Sequence, residues 1–312
     1  MDFDLAQLRA LDAAVTEGTF EAAARALRVT PSAVSQRLKA LEVAAGRVLL
    51  VRTKPIRVTP SGAVVLRMAR EVELLAADTA LELGGEQRPG PRLALPLAVN
   101  ADSLATWVLP ALIPLADTIG FQIQREDQDH TGDLLREGSV MAAITSQARP
   151  VPGCRVLRLG VMRYRPMATP GFAARWFPAG VTPAALADAP MVVFDRQDDL
   201  QHRYLRRRSP EPTQPIAIEP PTHHIPSSAD FLTAVRLGLG WGMLPELQGD
   251  EPERAGELVD LDPEGPIDVD LYWQQWKLRS ASLDRVADAV LVAARTHLRR
   301  PKPPVIMHIP TT

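Results

Sequence analysis

One cysteine, Cys154, stands among 312 residues. An intrachain disulfide is therefore excluded, and the usage fits a reducing cytoplasm. A lone residue of this type reads as a small buried hydrophobe rather than a nucleophile. Lysine is scarce too, found only at positions 39, 54, 277 and 302; that scarcity says nothing about mechanism. No stretch approaches the roughly 18 uninterrupted apolar residues of a membrane helix, so no membrane association is expected. The N-terminus, MDFDLAQLRA, places acids where a signal peptide needs bases and lacks the apolar run that should follow. A cytoplasmic location is predicted. Motifs for nucleotide and acyl chemistry are missing as well. There is no P-loop, no G-x-S-x-G, and no G-x-G-x-x-G after a strand, since GLGWG at 238–242 has the wrong spacing. The chain is not expected to be an enzyme, and neither a catalytic residue nor a cofactor or metal is assigned.

What is present is an ordinary globular composition with an uneven charge. Hydrophobic residues make up 46% and charged residues 23%, enough for two or three domains with ample core. The formal net charge is −2. Yet between Arg25 and Arg57 eight bases face one acid, Glu42. A basic block in an otherwise acidic chain is an electrostatic footprint for a polyanion, or else a solvated basic surface.

Leu5, Leu8, Leu11 and Val15 recur at helical spacing and predict a first helix ending near Gly18. Thr19 can cap a second, FEAAARAL, expected to bury Phe20, Ala23, Ala24 and Leu27. After a short turn at Arg28-Val29, Thr30 offers a cap oxygen and Pro31 takes the first position of a third helix. On a wheel of about 100° per residue, Val34, Leu38 and Leu41 fall within about 60°, and Ser32, Ser35, Gln36 and Lys39 group opposite. A merely solvated face would carry long Glu and Lys side chains. Short hydroxyls instead allow close approach, and Gln can pair with the N6 and N7 edge of adenine. Three short helices with this polar face describe a helix-turn-helix. Two β-prone pieces, VLLVRT and IRVT, flank Lys54-Pro55 and read as a wing, with Arg52, Thr53, Lys54 and Arg57 suited to phosphates or a minor groove.

FEAAARALRVTPSAVSQRLKALE, followed by LLVRTKPIRVTPSG, resembles the winged helix-turn-helix of LysR-type transcriptional regulators. The resemblance implies Thr30, Pro31, Ser32, Ser35 and Gln36 at the major groove and Arg52 and Thr53 on the wing. Pro31 departs from the pattern, which often has Gln there, so one base reader is absent. Arg37 and Arg57 are read as phosphate contacts, beside Lys39 and Lys54.

Thr59-Pro60 repeats the cap-then-proline device and opens a long helix to about residue 84. Val65, Met68, Val72, Leu75 and Thr79 alternate by three and four, the coiled-coil interval, although an amphipathic helix lying on its own domain would show the same spacing. The family resemblance implies a dimerising linker helix here. GGEQRPGP at 84–91 then reads as a hinge.

From Arg92 the pattern alternates strand and helix: strands in RLALPLAVN, FQIQRED, VMAAITS, MVVFD, WGMLP and IDVDLYWQQW, and a closing helix in SLDRVADAVLVAARTHL. Pro110 must end or kink the helix that Asp102-Ser103 opens. The pattern predicts an α/β protein overall, with two small lobes around a cleft, resembling periplasmic binding proteins. The expected domains are 1–59 winged helix-turn-helix, 60–84 linker helix, 85–91 hinge, and 92–298 effector-binding domain. Within the last, lobe one is about 92–160 plus 266–298 and lobe two about 161–265. Residues 299–312 are expected to form a poorly ordered tail.

Chemistry in such sheets lies at strand ends. REDQDHT packs Asp127, Asp129 and His130 beside Thr131; FDRQDD offers Asp195; HHIPSSADF offers Ser227 and Ser228; and VNADS offers Ser103. Acids opposite an anion-binding helix end would hold a zwitterion with an added positive tail, which free lysine or arginine fits. The bland readings are helix caps at the serines and a solvated loop at 127–130. His223-His224 reads as loop surface. VNADSLATWVLPAL, EDQDHTGDLLREG and PSSADFLTAVRLGLGWGMLPE resemble the subgroup of this family that activates basic-amino-acid exporters. By position it implies an effector cleft of Ser103, the 127–131 loop, Thr145-Ser146, Phe194-Asp195 and Ser227-Ser228. The expected partners are double-stranded promoter DNA, a cationic amino acid, further copies of the chain in a homodimer or homotetramer, and RNA polymerase. An architectural or replication-linked DNA-bending protein with an incidental ligand, or a regulator sensing another metabolite, remains as an alternative.

Overall fold

A computed structural model describes residues 3–83, 93–125, 131–208 and 218–300. Its first helices are α1 (Leu5–Glu17), α2 (Phe20–Leu27) and α3 (Pro31–Ala45), as the spacing predicts. Local chemistry sets the boundaries. Asp4 accepts the Ala6 and Gln7 N–H groups at the start of α1, and Gly18 ends it in the left-handed region. Thr19 caps α2, Thr30 caps α3, and Pro31 sits where its missing N–H costs nothing. Leu8, Leu11, Ala14, Ala23, Ala24, Val34, Leu38 and Leu41 close one core. Phe20 and Leu27 are only partly buried and pack against the rim of that core, since α2 is short and its alanines make the closest approach.

The wing pairs β1 (Leu50–Val51) with β2 (Arg57–Val58), Leu50 opposite Val58. Helix α4 (Pro60–Glu82) follows directly, and contact with the wing explains its T-P-S-G start. Thr59 Oγ1 accepts the Gly62 N–H at 3.0 Å and donates to the Val48 carbonyl at 2.8 Å. A Cβ at position 62 would stand 1.9 Å from the Leu49 carbonyl oxygen, so only glycine fits.

Beyond α4 come β3 (Leu93–Val99), α5 (Ala101–Ser103), a π-turn (Leu104–Val108), α6 (Leu109–Leu112), β4 (Ile119–Arg125), α7 (Thr131–Arg136), β5 (Ala142–Thr145) and β6 (Cys154–Ala168). Then follow α8 (Pro170–Trp176), α9 (Pro183–Asp188), β7 (Met191–Val193), α10 (Leu200–Arg208), β8 (Thr222–His224), α11 (Ser228–Arg236) and β9 (Gly242–Pro245). The chain closes with α12 (Glu246–Arg254), β10 (Val259–Asp260), β11 (Ile267–Trp276) and α13 (Ala281–His297). Pro110 does not end its helix. The π-turn before it loosens the backbone ladder where the proline N–H is missing, and helix resumes to Leu112.

Two compact units result, one of residues 1–99, 112–157 and 273–289, the other of 100–111, 158–272 and 290–312. Strands β6 and β11 begin in one and end in the other. In the first unit β3 runs parallel to both β4 and β5, with Leu97 opposite Ile123 and Ala142. In the second, β6 pairs antiparallel with β9 and β10, and β7 runs parallel to β8. Met167, Val192, Phe231, Val235 and Leu244 fill the second core. The expected lobe ranges differ from these units at 100–111, 158–160, 266–272 and 290–298, which group with the second, while the first unit also takes in the winged helix and α4. The 85–91 hinge lies outside the described residues. Most of the 299–312 tail does too, but Arg299 is held: its backbone exchanges both hydrogen bonds with Val161 at 2.9 Å, and its guanidinium meets Glu246. That reading is corrected, because a strand-like partner and an ion pair tie the residue down.

The long strand β6 is not legible as one. Arg155, Arg158, Arg163 and Arg165 break its apolar pattern, and each is matched by an acid, as with Arg163 to Asp268 at 2.7 Å and Arg158 to Asp270 at 2.6 Å.

Helix α4 lies with one face on its own unit. Arg70, 6% exposed, donates through Nε to Asp12 at 2.7 Å and through Nη2 to Thr16 Oγ1 at 3.1 Å. Its Nη1 meets the carbonyls of Gly138, at 2.7 Å, and Ser139. Gly138 has φ 75°, and a Cβ there would press on the Ala63 carbonyl at 3.2 Å, so glycine is needed on both counts. Arg67 reaches the Gly153 carbonyl at 3.1 Å and covers the Trp276 ring at 4.9 Å. One turn short of the helix end, buried Asp78 accepts from Ser280 Oγ at 2.6 Å and from the Ser282 N–H and hydroxyl. A buried guanidinium is tolerated only when paired and hydrogen-bonded throughout. Arg70→Ala is therefore expected to cost about 2–4 kcal/mol, leaving Asp12 and two carbonyls unmatched. Arg9→Ala, which removes an exposed pair with Glu73 on the same two helices, should cost less than about 1 kcal/mol. Urea unfolding of both variants checks this; equal losses would show that burial of Arg70 contributes nothing.

Candidate functional site

On α3 the predicted division of faces is present. Val34, Leu38 and Leu41 are at most 3% exposed, while Ser32, Gln36 and Lys39 are exposed and Ser35 and Arg37 half-buried. Thr30 Oγ1 accepts the Ala33 N–H at 3.2 Å, which fixes the entry of the helix. The Gln36 side chain makes no hydrogen bond among the described residues. On the wing Arg52, Thr53, Lys54 and Arg57 are all exposed. Arg52 rests its guanidinium 5.8 Å from the Phe20 ring, and Thr53 Oγ1 donates to the Pro55 carbonyl at 2.7 Å. Thr53 thus shapes the wing tip, with an acceptor lone pair left over.

Along α4, Met68, Leu75 and Thr79 are exposed and Val72 half-buried. Val65 does not belong with them. It is 8% exposed and lies in the winged-helix core, because the first turns of α4 pack on that domain. Val64, 71% exposed, stands on the outer face.

The densest polar chemistry lies in the second unit, around Asp102. Asn100 caps α5, its Oδ1 accepting the Ser103 N–H at 2.9 Å. Asp102 then receives the Tyr164 hydroxyl at 2.8 Å and the Ser228 hydroxyl at 2.7 Å, and Gln248 donates to Ser228 at 3.0 Å. Burial pushes the Asp102 carboxyl up, against the two hydroxyls that favour its charge. Burial and the Asp102 charge push the Tyr164 phenol well up, so it stays a donor. Asp198, which accepts the Phe194 and Leu200 N–H groups, is also raised, by burial and by the charges of Asp102 and Asp195. Three buried donors or acceptors on one helical run have no partner among the described residues: Asn100 Nδ2, Ser103 Oγ and Trp107 Nε1. They recur at spacings of three and four, hence on one face.

The remaining expected effector residues divide. Asp195 Oδ1 accepts the Gln197 and Asp198 N–H groups and so shapes its own loop, beside half-buried Phe194. Ser227 caps α11, whereas Ser228 turns to Asp102. Ser103, Phe194, Asp195, Ser227 and Ser228 share the second unit; Thr145 and Ser146 belong to the first. There Thr145 is buried and accepts the Gln147 N–H at 3.2 Å, with Ser146 half-buried. Asp127, Asp129 and His130 lie outside the described residues, as does the side chain of Thr131, whose backbone starts α7. Tyr164, Asp198 and Gln248 escape the sequence reading, and Asp102 enters it only as a helix opener. No spacing signal joins positions that β6, α10, α11 and α12 bring together.

His223 and His224 fall on β8 rather than in a loop, and among the described residues no group of three or more His, Cys, Asp or Glu could hold a metal ion. Cys154 is buried and its thiol is pushed up by burial, as expected of a packing residue. Among the described residues no helix is long and apolar enough to cross a membrane.

Comparison with known proteins agrees with this arrangement. Residues 5–63 match the model of the bacterial regulatory helix-turn-helix proteins of the lysR family, and residues 90–299 that of the LysR substrate binding domain. The Corynebacterium glutamicum lysine export transcriptional regulatory protein LysG is 43% identical over 297 residues, 94% of this chain and 98% of that one. The crystal structure of ArgP from Mycobacterium tuberculosis is similar at a TM-score of 0.81 and 44% identity, over 96% of this chain and all of that one. Full-length LysG of Corynebacterium glutamicum with bound effector Arg is similar at a TM-score of 0.72 and 40% identity, over 95% of this chain and all of that one. With both domains matched in order and relatives above 40% identity along nearly the whole length, the chain belongs to the LysR family of DNA-binding transcriptional regulators.

Proposed function

We propose that this regulator controls a basic-amino-acid exporter gene in answer to lysine, arginine or a related cationic amino acid, binding a partly palindromic promoter site as a dimer or tetramer. The observation that carries the DNA-reading part is the exposed Ser32, Gln36 and Lys39 face over a buried Val34, Leu38 and Leu41 stripe. The effector part rests on the buried, unpartnered Asn100 and Ser103 groups beside Asp102, and on relatives named for lysine export or holding Arg. Donors at Asn100 and Ser103 suit a carboxylate, and nearby acids suit ammonium or guanidinium. The effector works by binding one arrangement of the regulator more tightly than another, and effector and DNA then change each other's affinity by the same factor. RNA polymerase is the partner through which a promoter-bound activator would act.

Dimerisation follows from the outer face of α4. Val64, Met68 and Leu75 are 71%, 40% and 42% exposed and recur at four and seven residues. Such a stripe matches a second copy of itself in a coiled-coil contact.

Gln36→Ala is expected to cost about 1–3 kcal/mol at one base pair and to relax preference there. Competition binding against operator variants checks this, and equal loss on every sequence would remove Gln36 as a base reader. Met68→Glu with Leu75→Glu should give a folded monomer with weakened operator binding. Sedimentation equilibrium reads the outcome, and an unchanged oligomer would place the interface elsewhere.

A further inference from the structure

The half-buried carboxylates of this chain are mostly matched by a cation: Asp12 by Arg70, Asp268 by Arg163, Glu246 by Arg299. Asp78 is the buried exception, and it takes an N–H and two hydroxyls at the start of the long helix α13. Asp102 and Asp198 are likewise held by neutral donors, but each is pushed towards its protonated form by burial, and Asp198 feels the charge of Asp102 as well as of Asp195. Among the described residues neither has an ion-pair partner. The charge of Asp102 opposes that of Asp198, and a positive group bound beside them relieves that opposition.

A second, independent observation points to a ligand at the same place. Asn100 Nδ2 and Ser103 Oγ flank Asp102 in the chain, are 5% and 0% exposed by residue, and have no partner among the described residues. Buried polar groups are rarely left so without a ligand or water to complete them. The second unit thus sets donors for an anion next to acids for a cation.

We propose that Asp102 and Asp198 form the seat for the effector's side-chain cation and so select basic over neutral amino acids. This rests on the reading of the protein as an amino-acid-responsive regulator. Asp102 plays its part while held by Tyr164 and Ser228, whose hydroxyls fix its two oxygens without neutralising them. Asp198 is fixed in turn by two backbone N–H groups.

The test compares L-arginine with L-citrulline, which has nearly the same shape and no side-chain charge. Both are titrated calorimetrically into the full-length protein and into Asp102→Asn, Asp198→Asn and Tyr164→Phe, with operator binding in the absence of effector as the check on folding. Wild type should prefer arginine. Asp198→Asn should weaken arginine by at least about 30-fold while citrulline changes by less than about threefold. Asp102→Asn should do the same, and Tyr164→Phe, which keeps both charges, should retain the preference. Unchanged arginine affinity in both Asp variants, or equal loss of arginine and citrulline, overturns the proposal while leaving an amino-acid regulator in place. Absence of binding heat from both arginine and lysine in wild type overturns the basic-effector reading, and this proposal with it.

Discussion

The guanidinium of Arg70 is the interaction on which the arrangement of the first unit depends. It is almost wholly removed from water, and every one of its nitrogens is satisfied: two by Asp12 and Thr16 of α1, the third by the carbonyls that follow α7. A charge buried in this way tolerates no loosening, because each lost contact leaves a desolvated group without a partner. Helix α4 is thereby positioned between the DNA-reading helices and the parallel strands β3, β4 and β5. Gly62 and Gly138 permit the close approaches that the geometry requires. Asp78 secures the far end of α4 with opposite charge and the same logic. The family boundary at residue 90 therefore does not coincide with a structural one, since the first compact unit holds the winged helix together with part of the substrate binding domain.

The division of labour on α4 leaves its outer face apolar and exposed. On α3 the same principle leaves a polar face of short side chains and one unengaged amide. In each helix burial of one side is what makes the other available. The second unit works differently. There the available chemistry is buried donors at Asn100 and Ser103, unmatched among the described residues, and two half-buried acids held by neutral partners. A site of that kind is costly for an empty protein and favours a ligand whose charges complete it.

How far the sequence foretells this depends on how local each signal is. The caps at Thr19, Thr30 and Thr59, the stop at Gly18 and the Val34, Leu38, Leu41 stripe act within a few residues of themselves, and all stand where the spacing puts them. Strand β6 is illegible because its arginines are matched by acids about 100 residues away, on β11, α12 and α13. The stripe on α4 was misread by one position at Val65, since heptad spacing does not reveal that the first turns are already spent on the winged-helix core. Ser103 and Ser228 were found because helix starts have a chemical signature. The contacts of Asp102 with Tyr164 and Ser228 have no local signal, because only tertiary folding brings β6 and α11 to α5.

The central claim is that a basic amino acid changes how this protein occupies DNA. Nuclease footprinting on its own promoter, with lysine or arginine titrated against a fixed amount of the full-length protein, tests it most directly. The account predicts that protection or the pattern of hypersensitive bases changes with effector concentration and saturates. A footprint that is identical with no effector and at saturation would contradict it.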